Sequence, residues 1–362
     1  MSGYSSSSYS EGTALGSNET LTADGIALGN AVKLRGHIDF VFHYEDEEGT
    51  GTSQIGSAQD EDFAGSVDMD FLIDLSPITA EVHLNGRNTG GANIEQAFGR
   101  YSVNQDFHVT FGRQLTALGY ESDEAPGLLA VTDAYVLGGH SQGGMISDSS
   151  EVSVIAVQTR RNYKDGVRLN YNNGMFGFIF GLHDGYWAVD DYNGGNMAID
   201  LAASVMFFPG LEARIGYAHE SLDKDESFIG GTSDGDIDQF NAWISYNPGA
   251  LTLAAELDVY SLDLGSSLGN DDYFSMMLMA SYQFTDFLAA TFRYSHEDYE
   301  DGQIGGNPSR DSQSDRITLA MLFSLTQNFD LNVEYSTASI DSPANSAPGD
   351  FNEFLVQGLI TY

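Results

Sequence analysis

One segment of the sequence has residue types and a spacing that could carry covalent chemistry. Gly139, Ser141 and Gly143 match the G-x-S-x-G pattern, in which a strained turn between a strand and a helix exposes a nucleophilic serine. The residues that follow, 145–150, lack the apolar period of a helix, so such a turn would have no helix after it. A glycine-rich loop is the better interpretation. We therefore predict that Ser141 is not catalytic and that the protein is not an enzyme.

Carboxylates are the most abundant side chains that could bind a ligand. The chain has 53 Asp and Glu residues, 14 Lys and Arg residues and a formal net charge of −39. This balance excludes nucleic acid as a partner, because phosphates require a basic face. Asp234, Asp236 and Asp238 alternate, and dense carboxylate oxygens favour a hard cation such as Ca²⁺. Their spacing does not fit an EF-hand loop, so a solvated acidic loop is the alternative to this calcium site.

Histidine and cysteine suggest no further cofactor. The eight histidines are scattered without the H-E-x-x-H spacing or a similar pair, which argues against a transition-metal site. The absence of cysteine excludes disulfides and thiolate ligands. Apart from calcium in the acidic loops, we predict no cofactor.

An alternation of apolar and polar residues with a period of two places the charges on one face of extended strands. From residue 32 to residue 45, apolar side chains occupy one face and His37, Asp39 and other polar residues the other. About sixteen such segments recur, each roughly the ten residues that a tilted membrane strand needs. They start near residues 32, 64, 78, 94, 107, 164, 175, 198, 211, 237, 250, 272, 287, 314, 329 and 351.

The connections between these segments alternate between short turns and long, acidic, glycine-rich loops. A meander with tight turns at one end predicts an all-β fold: a transmembrane antiparallel up-and-down β-barrel of about sixteen strands. Its short turns would be periplasmic and its long loops extracellular. We assign residues 32–362 to this barrel and residues 1–31 to a flexible Ser/Gly-rich N-terminal extension. The chain begins with no recognisable signal peptide, so the expected location, a bacterial outer membrane, implies that the export signal has been removed.

Several motifs resemble those of the OmpL-like β-barrel porins of Gram-negative bacteria. These are Glu-Gln-Ala-Phe at 95–98, Gly-Arg at 112–113, Gly-Tyr-Glu at 119–121 and Gly-Val-Arg-Leu-Asn-Tyr at 166–171. The last strand, which alternates up to the terminal Tyr362, is similar to the C-terminal strand by which outer-membrane proteins are recognised for assembly. The resemblance implies an outer-membrane channel and leaves its solutes open.

The third long loop, 118–163, is by far the longest and carries Glu121, Asp123, Glu124 and Asp133. A loop of this length in a compact protein is usually functional or disordered. The resemblance to general porins implies that it folds into the lumen and forms the constriction. By strand parity, Lys33, Arg35, Arg100, Arg168, Arg214, Arg293 and Arg316 line the opposite wall, where they could create a transverse field. The alternative is that these arginines pair with lumen acids such as Asp39, Glu212 and Glu334 and hold the barrel closed.

The predicted function is passive diffusion of ions and small hydrophilic solutes, with a preference for cations. Membrane lipid and a homotrimeric assembly are the expected partners, and the small outward residues Gly36, Ala97 and Gly99 would allow close approach of barrels. Two alternatives remain. One is an outer-membrane barrel enzyme or adhesin that acts through its loops. The other is a soluble secreted β-protein.

Overall fold

The computed structural model describes residues 15, 18, 20, 24–48, 58–87, 91–137, 162–186, 197–222, 235–263, 270–300, 311–341 and 350–362. Its strands are β1 (Ile26–Ala27), β2 (Val32–Glu48), β3 (Ala58–Leu75), β4 (Ile78–Arg87), β5 (Gly91–Ser102), β6 (Phe107–Leu115), β7 (Tyr163–Asn172), β8 (Phe176–Asp184), β9 (Met197–Phe208), β10 (Leu211–Leu222), β11 (Gly235–Tyr246), β12 (Leu251–Asp263), β13 (Asn270–Thr285), β14 (Leu288–Glu300), β15 (Ser312–Thr326), β16 (Phe329–Asp341) and β17 (Asp350–Thr361).

Strands β2 to β17 form one closed antiparallel sheet. Each pairs with its neighbours in sequence, and β17 pairs with β2, for example Ile360 with Ile38, so no edge is left open. The predicted sixteen-strand barrel is therefore confirmed. The largest difference is that β3 begins at Ala58 rather than near residue 64. Residues 58–63 carry acids on both faces, so that part of the strand has no alternation to reveal it.

The period of two separates an apolar outer surface from a polar interior. In β2, Ile38 and Phe40 are about half exposed on the outside, whereas His37 and Asp39 are buried inside. The outer surface near the short turns is rich in exposed aromatic rings, as expected where a membrane barrel meets the lipid headgroups. These rings belong to Tyr101, Phe176, Phe207, Phe208, Tyr282, Phe284 and Phe287.

The C-terminal residue helps to close the barrel over a glycine. Gly36 and Tyr362 exchange two backbone hydrogen bonds of 3.0 Å, and the Tyr362 hydroxyl donates to the Asp68 carbonyl oxygen at 3.0 Å. A Cβ atom at Gly36 would lie 2.2 Å from the Asp68 carbonyl oxygen and 2.8 Å from the Tyr362 hydroxyl. The ring of Phe111 covers Gly99 in the same way, at 2.7 Å. The prediction that Gly36 presents a small surface to a neighbouring barrel is therefore wrong, because Tyr362 of the same chain covers it. Ala97 and Gly99 stay partly exposed, so for them close approach of barrels stays a prediction.

Part of the N-terminal extension lies inside the barrel. Leu15 is buried against Ile179 and Ala202 on the inner wall. Asn18 and Thr20 both accept a hydrogen bond of 2.6 Å from the Arg100 guanidinium. At these three positions the inner wall supplies partners that a free tail would lack. The assignment of residues 1–31 to a flexible extension otherwise stays a prediction, and residues 1–14, 16–17, 19 and 21–23 lie outside the described range.

Among the described residues, no helix is long and apolar enough to cross a membrane.

Cysteine labelling can test which face of β2 meets water. The chain has no cysteine of its own, so D39C and F40C each introduce a single reactive thiol. We expect a membrane-impermeant maleimide to label position 39 in lipid vesicles and to leave position 40 unlabelled, because position 39 faces the lumen and position 40 faces the lipid. A register shifted by one residue would place every charge of the strand in the hydrocarbon layer, which is energetically unfavourable. Denatured protein, in which both positions should react, is the control. Labelling of position 40 alone would contradict the register.

Candidate functional site

The chain after β6 turns into the barrel instead of continuing outward. Leu118 and Leu137, near the two ends of the described part of this segment, are completely buried. They pack with Tyr186 against an apolar layer of the inner wall near the long-loop end of β9 to β17. The wall residues of this layer are Ala198, Ala218, Ile237, Tyr260, Leu262, Tyr273, Tyr299, Ala338, Ile340 and Phe351. We call residues 116–137 the lumen loop.

Carboxylates of the wall bind backbone N–H groups of the lumen loop. The loop has almost no strand or helix partners for these donors, and buried amides and carboxylates are costly unless they are paired. Each contact satisfies both groups with a charge-assisted hydrogen bond. The contacts are Ala117 N to Asp200 Oδ2 (2.9 Å), Tyr120 N to Glu256 Oε1 (2.6 Å), Val131 N to Glu334 Oε2 (2.5 Å), Val136 N to Glu297 Oε2 (2.7 Å) and Leu137 N to Glu297 Oε1 (2.9 Å).

Two wall arginines bind hydrogen-bond acceptors of the lumen loop. The Arg293 guanidinium, which is 1% exposed, donates to Glu121 Oε1 at 2.7 Å and to the Thr132 carbonyl oxygen at 2.8 Å. It also donates to the carbonyl oxygen of Asp133. Arg316 donates to that same carbonyl oxygen at 3.3 Å and forms an ion pair with Glu353. The wall thus binds loop carbonyls with arginine and loop amides with glutamate.

The other arginines predicted to line the lumen also have acidic partners. Arg100 lies 3.2 Å from Glu81, Arg168 lies 3.5 Å from Asp200, and Arg214 lies 3.5 Å from Glu212 with its guanidinium 4.6 Å from the centre of the Trp243 ring. Arg316 lies 3.9 Å from Glu334. Asp39, proposed as another arginine partner, instead accepts a hydrogen bond of 3.1 Å from Gln357. The contacts therefore favour the pairing alternative over an array of free wall charges.

The predicted loop acids lie inside the barrel, in different surroundings. Glu121 accepts the Ala134 N–H at 2.9 Å besides pairing with Arg293. Asp133 is half-buried, and its carboxylate accepts the Tyr135 N–H at 3.1 Å. Asp123 and Glu124 are buried between Glu121 and the 3₁₀ turn Ala125–Gly127, which begins directly after Glu124. Glu124 reaches the inner face of β2 and β3, close to His37 and Asp68.

A cavity of about 310 Å³ lies on the short-turn side of the lumen loop. Its lining combines acids with apolar and aromatic side chains, among them Tyr120, Glu121, Glu212, Trp243, Met279 and Leu322. The Tyr120 and Trp243 rings meet edge to face with their centres 5.2 Å apart. A cavity with this lining has the polar and apolar contacts that suit a small polar molecule with an apolar part.

Two of the predicted calcium ligands face away from the lumen. Asp236 and Asp238 lie on the outer face of β11, where Ser221 Oγ donates to Asp236 at 2.9 Å and His219 Nδ1 lies 2.9 Å from Asp238 Oδ1. Asp234 and Ser141 lie outside the described residues. The calcium site and the absence of catalysis at Ser141 both stay predictions.

Sequence reasoning missed the acids that hold the lumen loop. Asp200, Glu256 and Glu297 are inward by strand parity, and that signal was available. Nothing in a single sequence indicates that these acids bind backbone amides of the lumen loop. Glu256 and Glu297 lie more than a hundred residues away from the amides that they bind.

Comparison with known proteins agrees with this architecture. The family model described as "Putative beta-barrel porin-2, OmpL-like" matches residues 153–358. No curated protein sequence matches the chain. Among solved structures, an anion-selective porin from Comamonas acidovorans is 18% identical, with a TM-score of 0.63 over 92% of this chain and 99% of that one.

Two further solved structures have the same fold. The outer membrane channel DcaP of Acinetobacter baumannii is 13% identical, with a TM-score of 0.62 over 91% of this chain and 97% of that one. OmpT of Vibrio cholerae is 13% identical, with a TM-score of 0.61 over 93% of this chain and 99% of that one. At these identities the similarity shows the fold alone.

Proposed function

The chain belongs to the OmpL-like family of β-barrel porins of the bacterial outer membrane, and from this premise we propose that it is a passive, cation-preferring channel for ions and small hydrophilic solutes. The observation that carries the proposal is a closed sixteen-strand barrel with a polar inner wall and one long loop held inside it. Such a loop narrows the lumen to the place where the charges of the wall act on a passing solute.

The preference for cations follows from the balance of charges inside the barrel. The five arginines named above each have an acidic partner, so their charges are largely offset. Asp123 and Glu124 add negative charge from the loop, and the whole chain carries −39. The Comamonas porin is described as anion-selective. Selectivity depends on the particular charges in the lumen, and those of this chain favour the opposite sign.

Planar bilayer recordings in a KCl gradient test the proposal. We expect ohmic channels whose reversal potential has the sign of K⁺ permeation. A heat-denatured sample is the control for contaminating pores. A correctly folded barrel that never conducts would instead support an enzyme or adhesin, and a reversal potential of the opposite sign would refute the cation preference alone.

We also propose that the protein is a homotrimer, since the outer belt presents a broad apolar surface that can pack against further copies. A related solved structure, OmpT of Vibrio cholerae, is described in a trimer form. We expect a mass in mild detergent of three times 39.1 kDa after the detergent contribution is subtracted. A mass of 39.1 kDa across a range of detergents and protein concentrations would contradict the trimer.

A further inference from the structure

Three side chains from separate segments meet on the inner wall beside the lumen loop. They are His37 of β2, Asp68 of β3 and Glu124 of the loop, and all three are buried. The nitrogen or oxygen atoms that they offer all lie within 4.8 Å of one another. We propose that these residues bind a divalent transition-metal ion, with Zn²⁺ as the probe, and that the ion fastens the lumen loop to β2 and β3.

The wall strands hold two of the ligands in register. His37 and Asp68 are direct cross-strand partners on the inner face, where opposite side chains have Cβ atoms about 4.5–5.5 Å apart. Glu124 is positioned by the 3₁₀ turn that follows it, in which Gly127 N–H donates to the Glu124 carbonyl oxygen at 2.9 Å. In tetrahedral coordination, atoms that bind one Zn²⁺ at about 2.1 Å lie about 3.4 Å apart. The most distant pair of ligand atoms would therefore have to approach by up to about 1.4 Å, which rotation of the three side chains can supply.

The charges around Asp68 call for a cation. Its Oδ2 atom is buried, and its carboxyl group meets that of Asp70, so the two acids need either a shared proton or a cation between them. Two basic groups of this cluster already pair with other acids. Arg35 lies 2.8 Å from Asp70, and His83 lies 3.1 Å from Asp70 and 3.0 Å from Glu81. Buried charges are stable when they are paired or when they coordinate a metal, and a divalent ion would supply what this cluster lacks.

The donor set favours a transition metal over calcium. Imidazole suits Zn²⁺ and its neighbours in the first transition series, whereas Ca²⁺ takes six to eight oxygen ligands. One imidazole and two carboxylates leave at least one coordination position for water. The ion would hold the loop on β2 and β3, in addition to the contacts that glutamates of β12, β14 and β16 make with its amides.

Metal titration of the untagged, EDTA-treated barrel in detergent tests the site without any measurement of conductance. We expect one Zn²⁺ per chain, with Ca²⁺ failing to compete at equal concentration. H37Q, D68N and E124Q should each weaken zinc binding by at least about tenfold. Loss of a group that merely hydrogen-bonds to a metal ligand already lowers metal affinity by about that factor, so loss of a ligand should cost at least as much. The matched control is H108Q, because His108 of β6 is also a buried histidine of the inner wall and, among the described residues, belongs to neither group of possible metal ligands, whereas His43 meets Glu45 and Glu353 in a second such group.

Equal loss of zinc in H108Q, or full retention in the three ligand variants, would overturn the proposal. If a wall variant fails to fold, X-ray absorption of the zinc-loaded wild-type protein still decides. One imidazole nitrogen among oxygen neighbours supports the site, whereas two or more imidazoles, or no bound zinc, refute it. Passive conduction does not depend on this result, whereas a bound ion would offset the charge of Glu124 that contributes to the proposed cation preference.

Discussion

Replacement of Arg293 by glutamine is expected to release the lumen loop and raise single-channel conductance while the barrel stays intact. The arginine is buried and binds Glu121 together with the carbonyl oxygens of Thr132 and Asp133. Removing one partner of a buried ion pair costs about 3–5 kcal/mol, because the other charge is left without compensation. If this cost falls on the equilibrium between the docked and the released loop, even about 3 kcal/mol lowers the ratio of docked to released loop by more than about a hundredfold.

The second partner provides the decisive comparison. In R293Q/E121Q no uncompensated charge remains, so the double variant should recover part of the docked population, as a double-mutant cycle would measure. R35Q is the matched control, because Arg35 is a buried arginine whose ion pair with Asp70 joins two wall strands. It should leave the conductance close to that of the wild type. Heat-modified mobility on gels monitors the barrel, and unchanged conductance in a folded R293Q channel would mean that the loop is held without this arginine.

Neutralisation of two lumen acids, in D123N/E124Q, is expected to reduce the cation preference far more than the same change of charge at the mouth. A carboxylate about 4 Å from a passing ion contributes about 1 kcal/mol even at the dielectric constant of bulk water, which is a factor of about five in ion occupancy. Charges farther away than about 8 Å are largely screened at physiological ionic strength. Glu121 is left unchanged because it compensates Arg293.

The matched control is D236N/D238N. Both aspartates lie on the outer face of β11 near the long-loop end, so the formal charge changes equally but outside the lumen. Reversal potentials in a KCl gradient, recorded with EDTA present so that no bound metal contributes, compare the two variants. If both pairs shift the potential by the same amount, the general field of the protein sets selectivity and the lumen loop does not line the narrowest section.

The strands were readable from the sequence because their signal is local. Where the two faces of a strand differ in polarity, the alternation predicts which side chains face outward. For Ile38 and Asp39 the structure confirms the predicted faces. The same reasoning placed Arg293 and Arg316 inside the barrel. It failed at the start of β3, where residues 58–63 carry acids on both faces, and at Gly36, whose open side is covered by the last residue of the chain.

The amino-acid sequence alone predicts the sixteen strands, their order and the face on which each charge lies. A period of two is a property of neighbouring residues, and short turns leave successive strands only one simple way to pair. Which charges meet is visible only in the folded barrel. Glu297 binds the amides of Val136 and Leu137, Arg293 binds Glu121, and His37 and Asp68 meet Glu124. These contacts join segments far apart in the chain. Closure of the barrel buries the polar groups of the wall, and buried polar groups need hydrogen-bond partners, which the lumen loop supplies.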